Sequence, residues 1–143
     1  MTMKILLPVD GSDCAQRAVE QLLAHCNWFC EAPEIHLLHV HPPIPDGRVL
    51  AHVGKETLHA YYREESEVQL AAAQVRLGEA GAAFVTHIHV GQPAEVIVRL
   101  AEELACALIV MGTHGRSALA GLLMGSVATR VLHLATCPVM LIK

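Results

Sequence analysis

The chain has 143 residues, enough for one domain with a buried core, and a formal net charge of −4. This acidic balance, with only two Phe, two Tyr and one Trp, argues against a nucleic-acid-binding protein, which usually carries a basic surface and stacking side chains. No charge-free apolar run approaches the roughly 18 residues of a membrane span, and the start has no signal-peptide pattern. We therefore expect a single cytoplasmic domain, residues 1–143, without a membrane partner.

The first predicted strand, residues 4–9, is a continuous apolar run that ends in a D-G-S turn. Continuous apolar character is typical of a strand covered on both faces, as in a parallel sheet. Ser12 can cap the helix that follows, and Asp13 suits its first turn. The second predicted strand covers residues 35–40.

A segment rich in proline, residues 41–55, separates the second strand from the next helix and predicts a long loop on the ligand side. We expect this loop to order over a bound ligand. The following helix is predicted over residues 56–78. Its predicted inner stripe consists of apolar residues: Leu58, Tyr61, Tyr62, Val68, Ala72 and Val75.

The third predicted strand, residues 84–90, alternates in polarity, with His87 and His89 on one side. Alternation indicates a partly exposed strand, and hence an edge of the sheet. A G-Q-P turn then places Pro93 at the first position of a helix, where proline is favoured. The remaining elements are a strand over residues 107–111, a helix over 126–134 and a strand over 138–142.

This alternation of strands and helices predicts a parallel sheet with right-handed crossovers. An open doubly wound sheet binds its ligands at the carboxyl ends of the strands, where the strand order reverses. The loop after the fourth strand contains Gly112, Gly115 and Gly125, with Ser126 at the start of a helix. Glycine permits positive φ and close approach to a ligand, Ser126 is a good N-cap, and a helix N-terminus attracts anions. The loop therefore predicts a phosphate cradle; the alternative is a loop with turn glycines and a capped helix.

The spacing G-x2-G-x9-G-S after a buried strand resembles the nucleotide-binding signature of the universal stress protein family, of the ATP-binding type. The resemblance extends to the opening I-L-L-P-V-D-G-S, the G-Q-P turn and the closing C-P-V-M-L-I. It implies an α/β Rossmann-like fold, with an open doubly wound five-stranded parallel sheet of order 3-2-1-4-5 and helices on both faces. It also implies binding of ATP, ADP or AMP, with or without Mg²⁺, and a C2 homodimer paired through residues 138–142. The function that the resemblance implies is that of a regulatory module in a stress response.

The candidate binding residues surround the point where the first and fourth strands end. Asp10 can accept hydrogen bonds from an adenine amino group or a ribose hydroxyl, although a turn aspartate in D-G-S is common. Arg116 and His114 can contact phosphate or face solvent, and Met111 can pack near the ribose or in the core. The full predicted set is Pro8, Val9, Asp10, Val40, Met111, Gly112, His114, Gly115, Arg116, Gly125, Ser126 and Val127.

Catalytic motifs are scarce. The P-loop, the G-x-S-x-G elbow and H-E-x-x-H are all missing from the sequence. Few groups are available to catalyse phosphoryl transfer: Arg116, His114 and Asp10 with Mg²⁺. We therefore expect binding without efficient turnover; the alternative is a slow ATPase, or autophosphorylation at Ser126 or Ser117.

Histidine and cysteine offer few further sites. Alternate histidines on the second and third strands can converge on a metal ion, but no Cys or carboxylate lies at a closing spacing, so we predict no metal site. The five cysteines are scattered and odd in number, which predicts reduced thiols in the core: Cys14, Cys26, Cys30, Cys106 and Cys137.

Overall fold

The structure, a computed structural model, describes residues 2–44, 47–115 and 123–143, and the side chains of residues 48–50 also lie outside the description. The strands are β1 (Lys4–Pro8), β2 (Glu34–His41), β3 (Phe84–Val90), β4 (Leu108–Gly112) and β5 (Val139–Ile142). The α-helices are α1 (Asp13–Ala24), α2 (Gly47–His52), α3 (Lys55–Glu79), α4 (Pro93–Glu103) and α5 (Ser126–Leu134), and a short 3-10 helix covers Cys26–Trp28.

The five strands form one parallel sheet in the order β3-β2-β1-β4-β5, which confirms the predicted architecture. Central strand β1 pairs with β2 on one side and with β4 on the other, so Ile5 lies opposite both Ile35 and Leu108. The order therefore reverses between β1 and β4, and this reversal opens a crevice at their carboxyl ends.

A hydrophobic core lies on each face of the sheet, as continuous apolar strands require. Helices α1 and α3 cover one face, where Leu7, Leu22 and Leu70 are buried together. On the other face, α4 and α5 bury Ile97 and Val131 against the sheet. Both faces of the central strands are therefore removed from water.

Helix α1 begins as predicted. The hydroxyl of Ser12 accepts a hydrogen bond from the backbone N–H of Ala15 at 3.1 Å, and Asp13 stands in the first turn. A side-chain cap of this kind satisfies one of the amides that a helix leaves without an internal partner. The turn after β1 is therefore stabilised by contacts within a few residues.

The loop prediction for residues 41–55 is wrong in part, because α2 lies within it. The prolines of this segment all precede Gly47, so they do not interrupt the helix that follows. The segment before α2 is also anchored, since the N–H of Ile44 donates to the hydroxyl of Tyr62 at 3.1 Å.

The predicted inner stripe of α3 is correct for Tyr62, which is buried, and wrong for four of its six residues. Val68 and Val75 are 72% and 57% exposed, and Tyr61 and Ala72 are exposed as well. The buried residues, spaced three or four apart, are Tyr62, Ser66, Leu70, Ala73 and Leu77. A serine occupies the centre of the buried stripe while valines face outward, so apolar identity alone selected the wrong face.

The edges of the sheet are β3 and β5. The prediction of β3 as an edge is confirmed, and all of its residues are half-buried or exposed. All four residues of β5 are half-buried. Among the described helices, none combines the length and the apolar character that crossing a membrane would need.

The five cysteines are all free thiols, but only Cys14 and Cys106 are buried. Cys26 and Cys137 are half-buried and Cys30 is exposed, so the expectation of core thiols is wrong for these three. Burial raises the pKa of Cys106 and of Cys137, which keeps both thiols protonated and poorly nucleophilic at neutral pH.

Candidate functional site

A cavity of about 610 Å³ opens where β1 and β4 end, at the reversal of strand order. The predicted site residues that the structure describes all line it: Pro8, Val9, Asp10, Val40, Met111, Gly112, His114, Gly115, Gly125, Ser126 and Val127. Arg116 and Ser117, which were also predicted, lie outside the described residues. The volume of the cavity lies within the range of small-molecule sites in proteins.

One wall of the cavity is the turn after β1, residues 9–12, which we call the β1 wall. The N–H of Val9 donates to the carbonyl oxygen of Leu38 at 2.8 Å, which continues the pairing with β2. The carbonyl oxygen of Val9 accepts from Nδ1 of His39 at 2.8 Å, and this bond fixes the Nδ1–H tautomer in the neutral ring. Oδ1 of Asp10 accepts from the N–H of Ser12 at 3.0 Å. This bond within the turn holds the carboxylate of Asp10 beside the cavity.

The opposite wall, which we call the β4 wall, consists of residues 112–115 and the start of α5 at residues 125–127. The N–H of Thr113 donates to the carbonyl oxygen of Ile142 at 2.9 Å, at the end of β5. The carbonyl oxygen of Thr113 accepts from the N–H of Gly125 at 2.6 Å. These two bonds bring the end of β4, the end of β5 and the start of α5 to one place.

The three glycines of the β4 wall serve close packing. Among the described glycines, positive φ occurs at Gly11, Gly81 and Gly91, so the expected positive φ at the loop glycines is not observed. A Cβ on Gly112 would lie 2.7 Å from Sγ of Cys14, and one on Gly115 would lie 2.6 Å from Oδ2 of Asp10. The glycines therefore let the β4 wall approach α1 and the β1 wall.

Ser126 is not the N-cap of α5, contrary to prediction. Gly125 occupies the cap position with extended backbone angles, and glycine has no side chain that could cap the helix. Ser126 is the first helical residue, exposed and beside the cavity. Because the first amides of a helix have no partner within it, the uncapped start of α5 offers donors and the positive end of the helix dipole to the cavity.

His114 and Thr113 contact each other, with Nδ1 of His114 3.0 Å from Oγ1 of Thr113. Cys14 lies in the first turn of α1, and its Sγ donates to the carbonyl oxygen of Ile142 at 3.4 Å. The β4 wall therefore rests on the first turn of α1 as well as on β5.

Several lining residues were missed at the level of sequence. Glu65 and Gln69 on α3, one helical turn apart, line the cavity, as do His39 and His41 at the end of β2. His39 lies near the end of the second predicted strand and His41 follows that strand, so the rule that ligands bind at strand ends could have found them. No local motif marks Glu65 or Gln69, because their position depends on how α3 packs.

In the described parts of the chain, no group of three or more His, Cys, Asp or Glu side chains is placed so that it could hold a metal ion. The histidines of β2 and β3 bind each other instead. Nδ1 of His36 lies 2.8 Å from Nε2 of His87. The electrostatic character of the cavity comes from the carboxylates of Asp10 and Glu65 and from the dipole of α5.

Comparison with known proteins places this geometry in a family. The sequence model of the universal stress protein family matches residues 1–143. A universal stress protein of Methanocaldococcus jannaschii, MJ0531, is 34% identical over 140 residues, which cover 98% of this chain and 81% of that protein.

Solved structures show the same fold. The chain superposes on MJ0577 of the same archaeon with a TM-score of 0.82 and 32% identity, covering 100% of this chain and 96% of that one. A universal stress protein from Archaeoglobus fulgidus, solved in complex with dAMP, has a TM-score of 0.67 at 24% identity and is covered over 98% of its length by all of this chain. The chain therefore belongs to the universal stress protein family.

Proposed function

We propose that this chain is a single-domain cytoplasmic regulator of a stress response that binds ATP, or the related ADP or AMP, in the cavity between the β1 and β4 walls. The observation that carries the proposal is the position of the uncapped start of α5 beside the three glycines, at the reversal of strand order. The dAMP-bound relative from Archaeoglobus fulgidus supports an adenine nucleotide as the ligand.

The two ends of the cavity suit the two ends of a nucleotide. At the β4 wall, the backbone amides of Ser126 and Val127 can donate to phosphate oxygens, and the α5 dipole favours their negative charge. On the side of β1 and β2, Val9 and Val40 present apolar surface for the base, and Met111 at the end of β4 can pack near the ribose. The carboxylate of Asp10 can accept from the adenosine part, and it can hold Mg²⁺ beside the phosphates.

We further propose that bound ATP turns over slowly. Among the described residues, the cavity lining includes no Lys or Arg side chain to neutralise a transferring phosphoryl group. His114 and Ser126 line the cavity and are the polar side chains that we expect to face the phosphates. A slow ATPase, or phosphate transfer to Ser126 or Ser117, is the enzymatic alternative in the same cavity.

The first experiment identifies the nucleotide that the protein carries. The freshly purified protein is denatured, and any released nucleotide is identified by chromatography and mass spectrometry. We expect close to one ATP per protomer. ADP or AMP would favour the enzymatic alternative, which a single-turnover assay with labelled ATP then measures.

Direct binding provides the decisive test. Asp10→Ala should weaken ATP binding by about tenfold or more, since a hydrogen bond to a charged group contributes roughly 1.5–3 kcal/mol. Asp13→Asn is the matched control, because Asp13 lies three residues away in the first turn of α1 and does not line the cavity. If the native protein neither releases a nucleotide nor binds added ATP with Mg²⁺, the proposal is wrong.

The dimer is a separate proposal. Strand β5 is a sheet edge with four apolar, half-buried residues, and such an edge can pair with a second copy of itself. We infer a C2 homodimer paired through residues 138–142, whose equilibrium the nucleotide can shift only by binding one state more tightly. A monomeric mass at micromolar concentration, with and without ATP, would contradict it.

A further inference from the structure

A row of three polar side chains crosses from β2 to edge strand β3, away from the nucleotide cavity. Nε2 of His36 lies 2.7 Å from Oε1 of Glu34, and Nδ1 of His36 lies 2.8 Å from Nε2 of His87. His36 is buried, at 4% exposure, whereas His87 is half-buried. None of the three residues lines the cavity, so the row is a second polar site in the molecule.

The hydrogen bonds determine where the protons lie. A carboxylate only accepts, so Nε2 of His36 carries the proton in the bond to Glu34. In neutral His36 the other nitrogen, Nδ1, then accepts, so Nε2 of His87 donates to it. The centroids of the two imidazole rings are 5.1 Å apart and the ring planes differ by 22°, which places the rings edge to edge and aims this N–H at the lone pair. The only acceptor nitrogen left in the two rings is Nδ1 of His87.

A first proton can enter the row without breaking it. Uptake at Nδ1 of His87 and transfer of the bridging proton to Nδ1 of His36 leave the cation on His36, next to the Glu34 carboxylate. Both hydrogen bonds survive, with donor and acceptor exchanged between the rings. A charge-assisted bond is stronger than a neutral one, so this state fastens the two strands more tightly.

A second proton cannot bind to the row without breaking a hydrogen bond. It must occupy Nε2 of His87, which then faces the N–H of His36, so the bond between the rings is lost and two cations stand side by side. We propose that Glu34, His36 and His87 form a proton-binding site in which one proton fastens edge strand β3 to β2 and a second proton releases it.

Other titratable groups lie around the row. On β1, Lys4 lies opposite Glu34 in register, and His89 lies on the same side of β3 as His87. The Cys106 thiol is close enough to Lys4 and Glu34 for both charges to affect its pKa. The charged side chains of α4, the helix over this face, have partners elsewhere: Glu95 with Arg130, Arg99 with Glu103, and Glu102 with Thr136.

The direction of the pH dependence follows. Burial, and then the positive charges of His36 and His89, lower the pKa of His87 below its ordinary value of 6.5. This proton on His87 is the second one of the row. The unfolded strand binds it more readily than the folded one, so the hold on β3 is lost as the pH falls from the ordinary histidine range through the lowered pKa of His87. The face is accessible to protons, since neighbouring Val85 is 46% exposed.

Nitrogen-15 NMR of the histidine rings tests the site in the intact protein. On acidification we expect His36 to become an imidazolium while His87 changes from the Nε2–H to the Nδ1–H tautomer. His87 should take up its own proton only at lower pH. Independent titration of both rings, without a change of tautomer, would overturn the proposal.

Hydrogen exchange tests the consequence for the strand. After correction for intrinsic rates, the β3 amides should exchange about tenfold faster at about pH 5 than at about pH 7. His87→Gln, which keeps a donor to His36 but takes no proton, should remove this acceleration. His89→Gln, on the same face of the same strand, should retain it. An equal acceleration in His87→Gln would overturn the proposal, whatever the outcome of the nucleotide experiments.

Discussion

The two walls of the cavity are held by different kinds of contact. The β1 wall is held largely by neighbours in sequence: Ser12 bonds to Asp10 and caps α1. The β4 wall is held by partners far along the chain, since Thr113 bonds to Ile142 and to Gly125. Local contacts depend on residue type, whereas distant contacts depend on backbones fitting closely. Substitutions should therefore affect the two walls differently.

The largest expected effect is at the β4 wall. Gly112→Val should lower the free energy of unfolding by about 3 kcal/mol, because overpacking of a close contact costs roughly 1–3 kcal/mol and two methyl groups exceed the available space. The added Cβ would lie 2.7 Å from Sγ of Cys14 and 3.1 Å from its backbone. Urea denaturation measures the change.

A matched pair tests the cause. Combining Gly112→Val with Cys14→Ala should recover only part of the loss, because the backbone of Cys14 stays in the way. An unchanged urea midpoint in Gly112→Val would show that this wall is not closely packed.

The next effect is at the β1 wall. Gly11 has a φ of +79°, so Gly11→Ala should cost about 1–2 kcal/mol for the left-handed conformation. The Oε1 atom of Gln69 also occupies this space, but a flexible side chain can move away. Gly11→Asn should cost less, because asparagine tolerates this conformation better. Equal losses of stability in the two variants would show that crowding at Gly11, and not its backbone conformation, causes the effect.

A smaller effect is expected at Ser12. Ser12→Ala removes the N-cap of α1 and should cost about 1 kcal/mol in thermal or urea unfolding. Ser12→Asp, which restores a capping oxygen, serves as the control and should stay close to the native stability. A loss in both variants would mean that the hydroxyl acts outside the cap.

The smallest effect sharpens the comparison between the walls. Ser126→Ala should change stability by less than about 0.5 kcal/mol, because Ser126 lies after the N-cap and makes no capping bond. Measured beside Ser12→Ala, it contrasts a serine that caps a helix with one that does not. A loss as large as that of Ser12→Ala would place the cap at Ser126 after all.

This contrast also explains what the sequence could predict. The strands, their order and the Ser12 cap follow from apolar runs, turn residues and a family signature, all of which are visible in short stretches. The N-cap at Gly125 and the buried Ser66 on α3 depend on how distant segments meet. Val68 and Val75 look like core residues until packing shows that α3 turns them outward.

The residues of the candidate site show the same contrast between local patterns and long-range packing. Residues in the strand-end turns and the glycine loop were found because they belong to recognisable local patterns. Glu65 and Gln69 were not, since α3 brings them to the cavity from the middle of a long helix. The row of Glu34, His36 and His87 needed the register between β2 and β3, which no pattern in either strand specifies.

The bond from Thr113 to Ile142 has a consequence for biosynthesis. On the ribosome, the first four strands and the glycine loop leave the exit tunnel before the last strand does. The β4 wall lacks its support until Ile142 has also emerged, because the N–H of Thr113 and the thiol of Cys14 both donate to that carbonyl oxygen. A nascent chain therefore completes its binding site only after β5 has emerged from the ribosome, although every residue that lines the cavity has emerged before it.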